Sequence, residues 1–512
     1  MNSEAIIMVA SDLLNFLTSS YTLEEEGGLK MFNEFTKSIF INGKWLDVDP
    51  NNVEPIYNPA TMELITNVSY GGKEETKQAI EAAQEAFKTW GSMPGRKRSR
   101  ILYKAAQLLE EDAERIGIIL TTEQGKPLKE AVGEVKGAAA FLLWYAEEAS
   151  RAYGEWLPSS ISAKRMIVIP QPIGVVGAIT PWNFPASMIT RKIGPALAAG
   201  CTVVLKPAPE TPLSAIEIVK IFEQAGMPKG VINLVTGNAE EIGEEMLTNK
   251  QVRMITFTGS TAVGKYLMRE SANHVKKVSL ELGGHAPFIA FEDANIEKAT
   301  TMVLASKFRN NGQTCICTNR LYVHENIVEE FTEKLIEKVR QLQIGNGLEE
   351  NIDLGPLINE RALEKVESHV EDAIQKGAEV ATGGERWNGD LRGNFFEPTV
   401  LTNVSDEMKI MREETFGPVM PIQTFTDEKE VIEKANDTDY GLAAFIFTEN
   451  TSRSLRVAEQ LEYGIVGVND VFPATPEAPF GGIKQSGIGK EGGYYGMEEF
   501  MEQKFISIGI EE

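Results

Sequence analysis

The sequence predicts an α/β protein made of two doubly wound domains, each a largely parallel sheet covered by helices, with a small extra β element. Three observations predict it. Across residues 173–290 short apolar runs alternate with helical stretches, and across 292–470 the alternation starts again. Residues 497–512 then carry an apolar repeat suited to an edge strand. Strands that read as unbroken apolar runs are buried on both faces, as crossover helices on either side of a parallel sheet require.

In chain order, Ile41-Asn-Gly-Lys-Trp reads as a strand and turn. Residues 73–90 place Ala79, Ile80, Ala83, Ala86, Phe87 and Trp90 at helical spacing, which predicts an amphipathic helix. Helices follow around 97–116 and 128–150, and 164–170 reads as a strand outside that helical layer. The runs of the first doubly wound unit are Ile173–Thr180, Thr202–Lys206, Val231–Val235, Arg253–Thr258, Lys277–Leu282 and Pro287–Phe291. The helices between them fall near 186–199, 212–225, 239–248 and 262–274. In the second unit helices are expected near 295–308, 326–342 and 359–376, with strands near 320–324 and 463–468. No low-complexity linker separates the halves. At the end, Phe505, Ile506, Ile508 and Ile510 suit a strand paired within the chain or one offered to a partner subunit; the pattern fits both.

Composition narrows the function classes. The 512 residues are 42% hydrophobic and 24% charged, an ordinary globular balance. A net charge of −24 argues against a nucleic-acid or anionic-membrane partner, since phosphates demand a basic face. Three cysteines form no disulfide framework, which points to a reducing, cytoplasmic setting. His274, His285, His324 and His369 are scattered, with no HExxH or paired CxxC, so no metal site is expected. No run long enough for a membrane span occurs. The apolar stretch Ala5–Leu17 contains Asp12 and has no preceding Lys or Arg, unlike a signal peptide. Glu24-Glu25-Glu26-Gly27-Gly28 shortly before Met31 suggests that Met31 is the true start and that residues 1–30, the greater part of an extension over 1–36, are not native.

Ligands of doubly wound sheets bind beyond the carboxyl ends of the strands, so the residues after each run matter most. After the first run comes Pro181-Trp182-Asn183-Phe184-Pro185, and Lys206-Pro207-Ala208-Pro209 follows the second. Gly259-Ser260-Thr261-Ala262-Val263-Gly264 follows the fourth, and the fifth ends in Glu281-Leu282-Gly283-Gly284. The GxGxxG fingerprint is absent; the 259–264 turn has small residues suited to close phosphate approach at a helix N-terminus, or to a tight turn alone. Cys315 lies in a polar Gly/Asn/Gln/Thr loop that no apolar periodicity explains, whereas Cys201, just before a strand, reads as a core residue.

Taken jointly, PWNFP (181–185), LKPAPETP (205–212), FTGSTAVG (257–264), LELGGHAP (280–287), GQTC (312–315), EETFGPV (413–419) and PFGGIKQSG (479–487) resemble the aldehyde dehydrogenase superfamily from about residue 37 onward. MITRK (188–192), FRNNGQTCIC (308–317) and EGGYYG (491–496) look most like its succinate-semialdehyde dehydrogenase branch. The resemblance implies Rossmann-like cofactor and catalytic domains, the former from 37–148 and 171–283, the latter from 284–496. It further implies an oligomerisation element from 149–170 and 497–512, and a homodimer or homotetramer.

It also implies a chemistry that suits the residue types. Cys315 would be the nucleophile, because a thiolate attacks a carbonyl well and later leaves well from a thioester. Asn183 and the Cys315 N–H would hold the oxyanion, and Glu281 would be the general base for hydrolysis. Cofactor contacts carry over to Trp182, Lys206, Gly259, Ser260, Gly264, Leu282, Glu414 and Phe416. Pro209 stands where many NAD-dependent relatives carry a ribose-binding glutamate, so NADP acceptance is expected, with NAD retained as an alternative. Arg191 and Arg309 match arginines that grip a substrate carboxylate in this branch. The serine usual before PFGG is replaced by Ala474, with Thr475 beside it as a substitute. Cys317, two residues from the nucleophile, is either a spectator or a redox partner forming a disulfide with Cys315. The expected activity is oxidation of an aldehyde with a distal carboxylate, succinate semialdehyde first. Glutarate or 2-oxoglutarate semialdehyde, or a cofactor-independent thiol hydrolase, are the alternatives.

Overall fold

The computed structural model describes residue 35, residues 37–46 and residues 51–511. The proposed start at Met31 and most of the 1–36 extension lie outside them. Among the described residues the strands form two large sheets and two small ones.

The first large sheet has eight strands, with Val175–Ile179 at its centre. On one side of it run Thr202–Lys206 and Ile232–Leu234; on the other run Val252–Thr258 and Lys277–Glu281, all parallel. The chain therefore reverses its direction of strand addition at Val175–Ile179, and the crevice of a doubly wound sheet opens at such a switch point. Antiparallel strands close both edges. Ile39–Ile41 and Lys44–Leu46 lie at one end, and Gly487–Ile488, from far along the chain, pairs with Leu280 and Glu281 at the other. Helices such as Pro185–Ala199 and Pro212–Gln224 are buried along most of their length, as crossovers packed on a sheet must be.

The second large sheet holds Thr318–His324, Ala286–Ala290, Val419–Phe425, Ala443–Phe447 and Ile465–Val468 in parallel, extended by Thr399–Thr402 and an antiparallel Glu379–Thr382. The run Pro287–Phe291 belongs here, so the change of sheet falls at Gly283-Gly284. Each large sheet has apolar clusters on its faces, one built around Val203 and Leu205, another around Phe288 and Leu321.

One sequence expectation changes. The helix expected over 97–116 is two, Gly95–Glu111 and Ala113–Gln124, broken at Asp112. There the backbone leaves the helical conformation, with φ −97° and ψ 11°, and the carboxylate accepts from Arg115 at 2.9 Å. The helix that carries Arg191 begins at Pro185, two residues after Asn183, where a missing N–H and fixed φ suit a first turn. The final strand, Met501–Gly509, pairs antiparallel with Lys164–Pro172 over nine residues and forms the edge of a three-stranded sheet. Phe505 and Ile508 on it are exposed. No helix of the described residues is long and apolar enough to cross a membrane.

Candidate active site

The strand ends of the first sheet face the loops that enter the second. Between them lies a cavity of about 560 Å³. From the first sheet, Trp182, Asn183, Gly259, Ser260 and Leu282 line it; from the second, Cys315, Glu414 and Phe416 do. The structure thus brings together eight residues that sequence motifs had scattered over more than 230 positions.

Cys315 sits half-buried on a loop of unusual backbone. Asn310, Asn311 and Gly312 all have positive φ, 48°, 55° and 76°. For the two asparagines this is the left-handed region, which asparagine tolerates better than most residues. Asn183 is buried nearby, and its Nδ2 donates to the Gln313 carbonyl at 3.0 Å. That contact uses one amide hydrogen and leaves the second for a ligand. Burial pushes the Cys315 thiol up to about 12, with Glu414 adding to the effect and Arg191 opposing it. The resting group is therefore a thiol, which must shed its proton to attack.

Glu281 is 3% exposed and neither of its carboxylate oxygens has a hydrogen-bond partner. Burial holds its carboxyl well above the usual range, and the nearby Glu491 adds to this. It does not line the cavity itself. A Cβ on Gly481 would stand 2.6 Å from its Oε1, so glycine is what lets that loop close over the carboxylate. Glu491 is engaged by Lys192, Nζ to Oε1 at 2.6 Å.

The dinucleotide expectation can be tested on the donor set. A Cβ on Gly259 would meet the Phe257 ring at 2.4 Å, and one on Gly264 the Leu282 side chain at 2.3 Å, so the turn packs as closely as glycine allows. Ser260 caps the helix Thr261–Ser271, its Oγ accepting from Val263 N–H at 3.4 Å, which leaves a helix N-terminus at the cavity wall. Burial lowers the Lys206 ammonium, which donates to the neighbouring Pro207 carbonyl at 2.9 Å. Glu414 accepts from Gly284 N–H at 2.9 Å through one oxygen. The Trp182 and Phe416 rings meet edge to face, 5.6 Å apart. A phosphate-friendly turn, two groups able to bond ribose hydroxyls and flat apolar walls fit a nicotinamide dinucleotide.

Other predicted residues lie around this cavity instead of on it. Lys206 and Gly264 stand behind its wall, while Glu210, next to the exposed Pro209, does line it. Arg191 is 7% exposed, its guanidinium stacked on Phe141 and Phe480 at 4.7 and 4.5 Å, with Nε unpartnered. Arg309 lies over the Phe184 ring at 5.0 Å. Thr475 is exposed, whereas Ala474 packs on the apolar cluster that also touches Cys315. Cys317 is buried and donates to the Gly312 carbonyl at 3.4 Å, with the Lys307 ammonium 3.9 Å from its sulfur.

Sequence reasoning missed several groups. Lys192 and Glu491 are inside motifs already singled out, and only their 299-residue separation hid the pairing. Arg361 and Lys365, one turn apart on the helix Glu360–Gln375, line the cavity as exposed cations. Lys126 and Glu134 form a fully buried ion pair at 2.6 Å behind Asn183, in a stretch whose helical pattern hid them.

Residues 45–506 match the aldehyde dehydrogenase family. The chain is 51% identical to a glutarate-semialdehyde dehydrogenase of Pseudomonas putida, covering 94% of this chain and 100% of that one. It is 50% identical to the NADP(+) succinate-semialdehyde dehydrogenase of Escherichia coli, covering 93% and 99%. The crystal structure of succinate-semialdehyde dehydrogenase from Burkholderia pseudomallei superposes with a TM-score of 0.91 at 49% identity, covering 92% and 98%.

Proposed function

We propose, from the premise that this chain belongs to the aldehyde dehydrogenase family, that it oxidises an aldehyde bearing a distal carboxylate, succinate semialdehyde first, with NADP or NAD. The observation that carries the reading is the shared cavity: Cys315 and Asn183 open onto the same space as Gly259, Ser260 and Glu414.

In this reading the Cys315 thiol releases its proton to solvent in the cavity, its sulfur adds to the aldehyde carbon, the carbonyl π pair moves onto oxygen, and the new oxyanion takes hydrogen bonds from the free Asn183 amide N–H and the Cys315 N–H. Such a donor stabilises a developing oxyanion by about 2.7–4 kcal/mol. Trp182, Lys206, Gly259, Ser260, Gly264, Leu282, Glu414 and Phe416 would hold the dinucleotide, with Pro209 leaving room beside Lys206. When bound, the nicotinamide supplies the hydride acceptor that turns the adduct into a thioester. Glu281 then takes a proton from the hydrolytic water; its raised pKa makes it a stronger base than an exposed carboxylate. The presence of Glu281 disfavours transfer to a thiol acceptor over hydrolysis.

Arg191 and Arg309 supply the cations that a carboxylate tail needs in a chain of net charge −24. A second substrate reading, glutarate semialdehyde, draws on the 51% identity to the Pseudomonas putida enzyme and on Ala474 in place of serine. For the cofactor, Pro209 removes a carboxylate that would repel a 2′-phosphate, whereas Glu210 keeps a carboxylate on the cavity wall. NADP is therefore accepted, and NAD is retained beside it. The same reading assigns 37–148 and 171–283 to cofactor binding, 284–496 to catalysis, and 149–170 with 497–512 to a homodimer or homotetramer in the cytoplasm. Cys317 keeps two readings, a core spectator or the partner of a disulfide with Cys315 formed as peroxide is reduced to water, which would stop turnover.

The deciding experiment is a panel of neutral and carboxylated aldehydes assayed with NAD and NADP in parallel. The expected result is fastest turnover per substrate molecule with succinate semialdehyde. No reduction with any aldehyde would overturn the activity, and equal rates for neutral aldehydes of the same length would overturn the substrate class.

A further inference from the structure

Two fully buried charges lie behind Asn183. Lys126, on the turn between the helices Ala113–Gln124 and Leu128–Glu148, directs Nζ to Glu134 Oε2 at 2.6 Å. The same ammonium donates to the main-chain carbonyl of Asn183 at 2.7 Å and lies 3.9 Å from the Phe184 ring centroid. The other Glu134 oxygen accepts from Ala186 N–H at 2.9 Å and Ser187 N–H at 3.2 Å, the opening of the helix that follows Asn183. Asn183 is thus held at its carbonyl and, three and four residues on, at a helix N-terminus, by one ion pair.

A third member ties this pair to the nucleophile loop. Asn310 Nδ2 donates to the same Asn183 carbonyl at 2.9 Å and more weakly to the Gln313 carbonyl at 3.3 Å. Gln313 O is also the acceptor of the Asn183 side-chain amide. Asn310 is locked in turn: its N–H donates to Glu130 at 2.9 Å, and its Oδ1 accepts from Gln124 at 3.0 Å. Glu130 and Glu134 are one helical turn apart on Leu128–Glu148, so two turns of one helix hold both the Asn183 segment and the left-handed turn leading to Cys315.

Stability is a weak reason for such an arrangement, because apolar replacement of a fully buried ion pair is often neutral or favourable. An oxyanion donor, in contrast, must be fixed in place before the reaction, and a displacement of about 1 Å can cost roughly 100-fold in rate. We propose that the Lys126–Glu134 pair, with Asn310, is a positioning device that sets the Asn183 amide against Cys315. The inference rests on the reading of Asn183 as an oxyanion donor, and it makes Lys126 and Glu134 positioning residues, neither of them touching substrate.

The test compares Lys126→Met, Asn183→Ala and the double variant. The first-turnover burst of reduced cofactor reports thioester formation. Cofactor affinity by fluorescence titration and alkylation of Cys315 by iodoacetamide, which passes through no oxyanion, report the integrity of the rest of the site. Lys126→Met is expected to slow the burst about 10- to 100-fold while affinity and alkylation stay unchanged. In the Asn183→Ala background the same substitution adds nothing. Lys126→Met/Glu134→Gln, which buries no charge, gives the same burst loss if the single variant folds poorly. Multiplying losses in the double variant, or alkylation and affinity falling with the burst, overturn the positioning role. An intact burst in Asn183→Ala alone overturns the oxyanion reading beneath it, a separate outcome.

Discussion

Glu134 and Glu281 are both buried carboxylates within the same half of the molecule, yet their surroundings are opposite. Glu134 has both oxygens committed, one to the Lys126 ammonium and one to two backbone N–H groups. Glu281 has neither committed, and a glycine-lined loop closes over it. A buried carboxylate left without partners is costly to a fold, by several kcal/mol for an ion without compensation. The contrast separates a carboxylate that organises structure from one held ready for a proton, which burial alone does not distinguish.

Substitution by glutamine should split the two most widely. Glu281→Gln is expected to lower steady-state turnover about 10²- to 10⁴-fold while the first-turnover burst survives, since deacylation alone needs the base. The general base works ionised, so the wild-type rate should fall with decreasing pH at a point above the ordinary carboxylate range, and a pH–rate profile of the variant should lack that limb. Folding moves the other way. Because the Glu281 pKa is raised in the folded state, its contribution to stability is present below its unfolded value and is lost as pH rises through the folded one. Glu281→Gln should therefore match wild type in acid and exceed it at neutral pH in denaturant titrations. Glu134→Gln should cost about 3–5 kcal/mol in the same titration, because it strands Lys126; no loss there would erase the contrast.

Smaller effects sharpen the substrate side. Arg309→Ala and Arg191→Ala should each raise KM for a carboxylated aldehyde about 10- to 100-fold, as expected for one charged hydrogen bond, and leave a neutral aldehyde untouched. A matching rise for the neutral aldehyde would recast both arginines as packing elements, a role the Phe141 and Phe480 rings around Arg191 already suggest for part of its side chain. Cys317→Ala has the smallest expected effect: unchanged turnover, with peroxide inactivation that dithiothreitol no longer reverses. Inactivation and recovery identical to wild type would leave Cys317 a core residue beside Lys307.

The alternation of apolar runs made both sheets legible, because a strand buried on two faces leaves an unbroken signature in sequence. Seven motifs made the family legible, because the Phe257 ring at Gly259, the Leu282 side chain at Gly264 and the Cys315 carbonyl at Gly284 leave little room for a side chain. Less could be read where partners are distant in sequence. Lys192 and Glu491 were visible as letters but not as a pair, and nothing in the helical pattern of 128–150 marked Glu134 as more than an acidic residue on a helix. The break at Asp112 was hidden by apolar spacing that continues across it.

The short strand Gly487–Ile488 has a consequence for how the protein is made. It pairs with Leu280 and Glu281, and the loop preceding it covers the Glu281 carboxylate. During synthesis, the first sheet acquires this edge only after some two hundred further residues have been added and the second sheet has its strands. A nascent chain can thus hold the nucleophile loop long before it holds a finished site, and the cover over the hydrolytic carboxylate is completed only when the polypeptide is nearly whole.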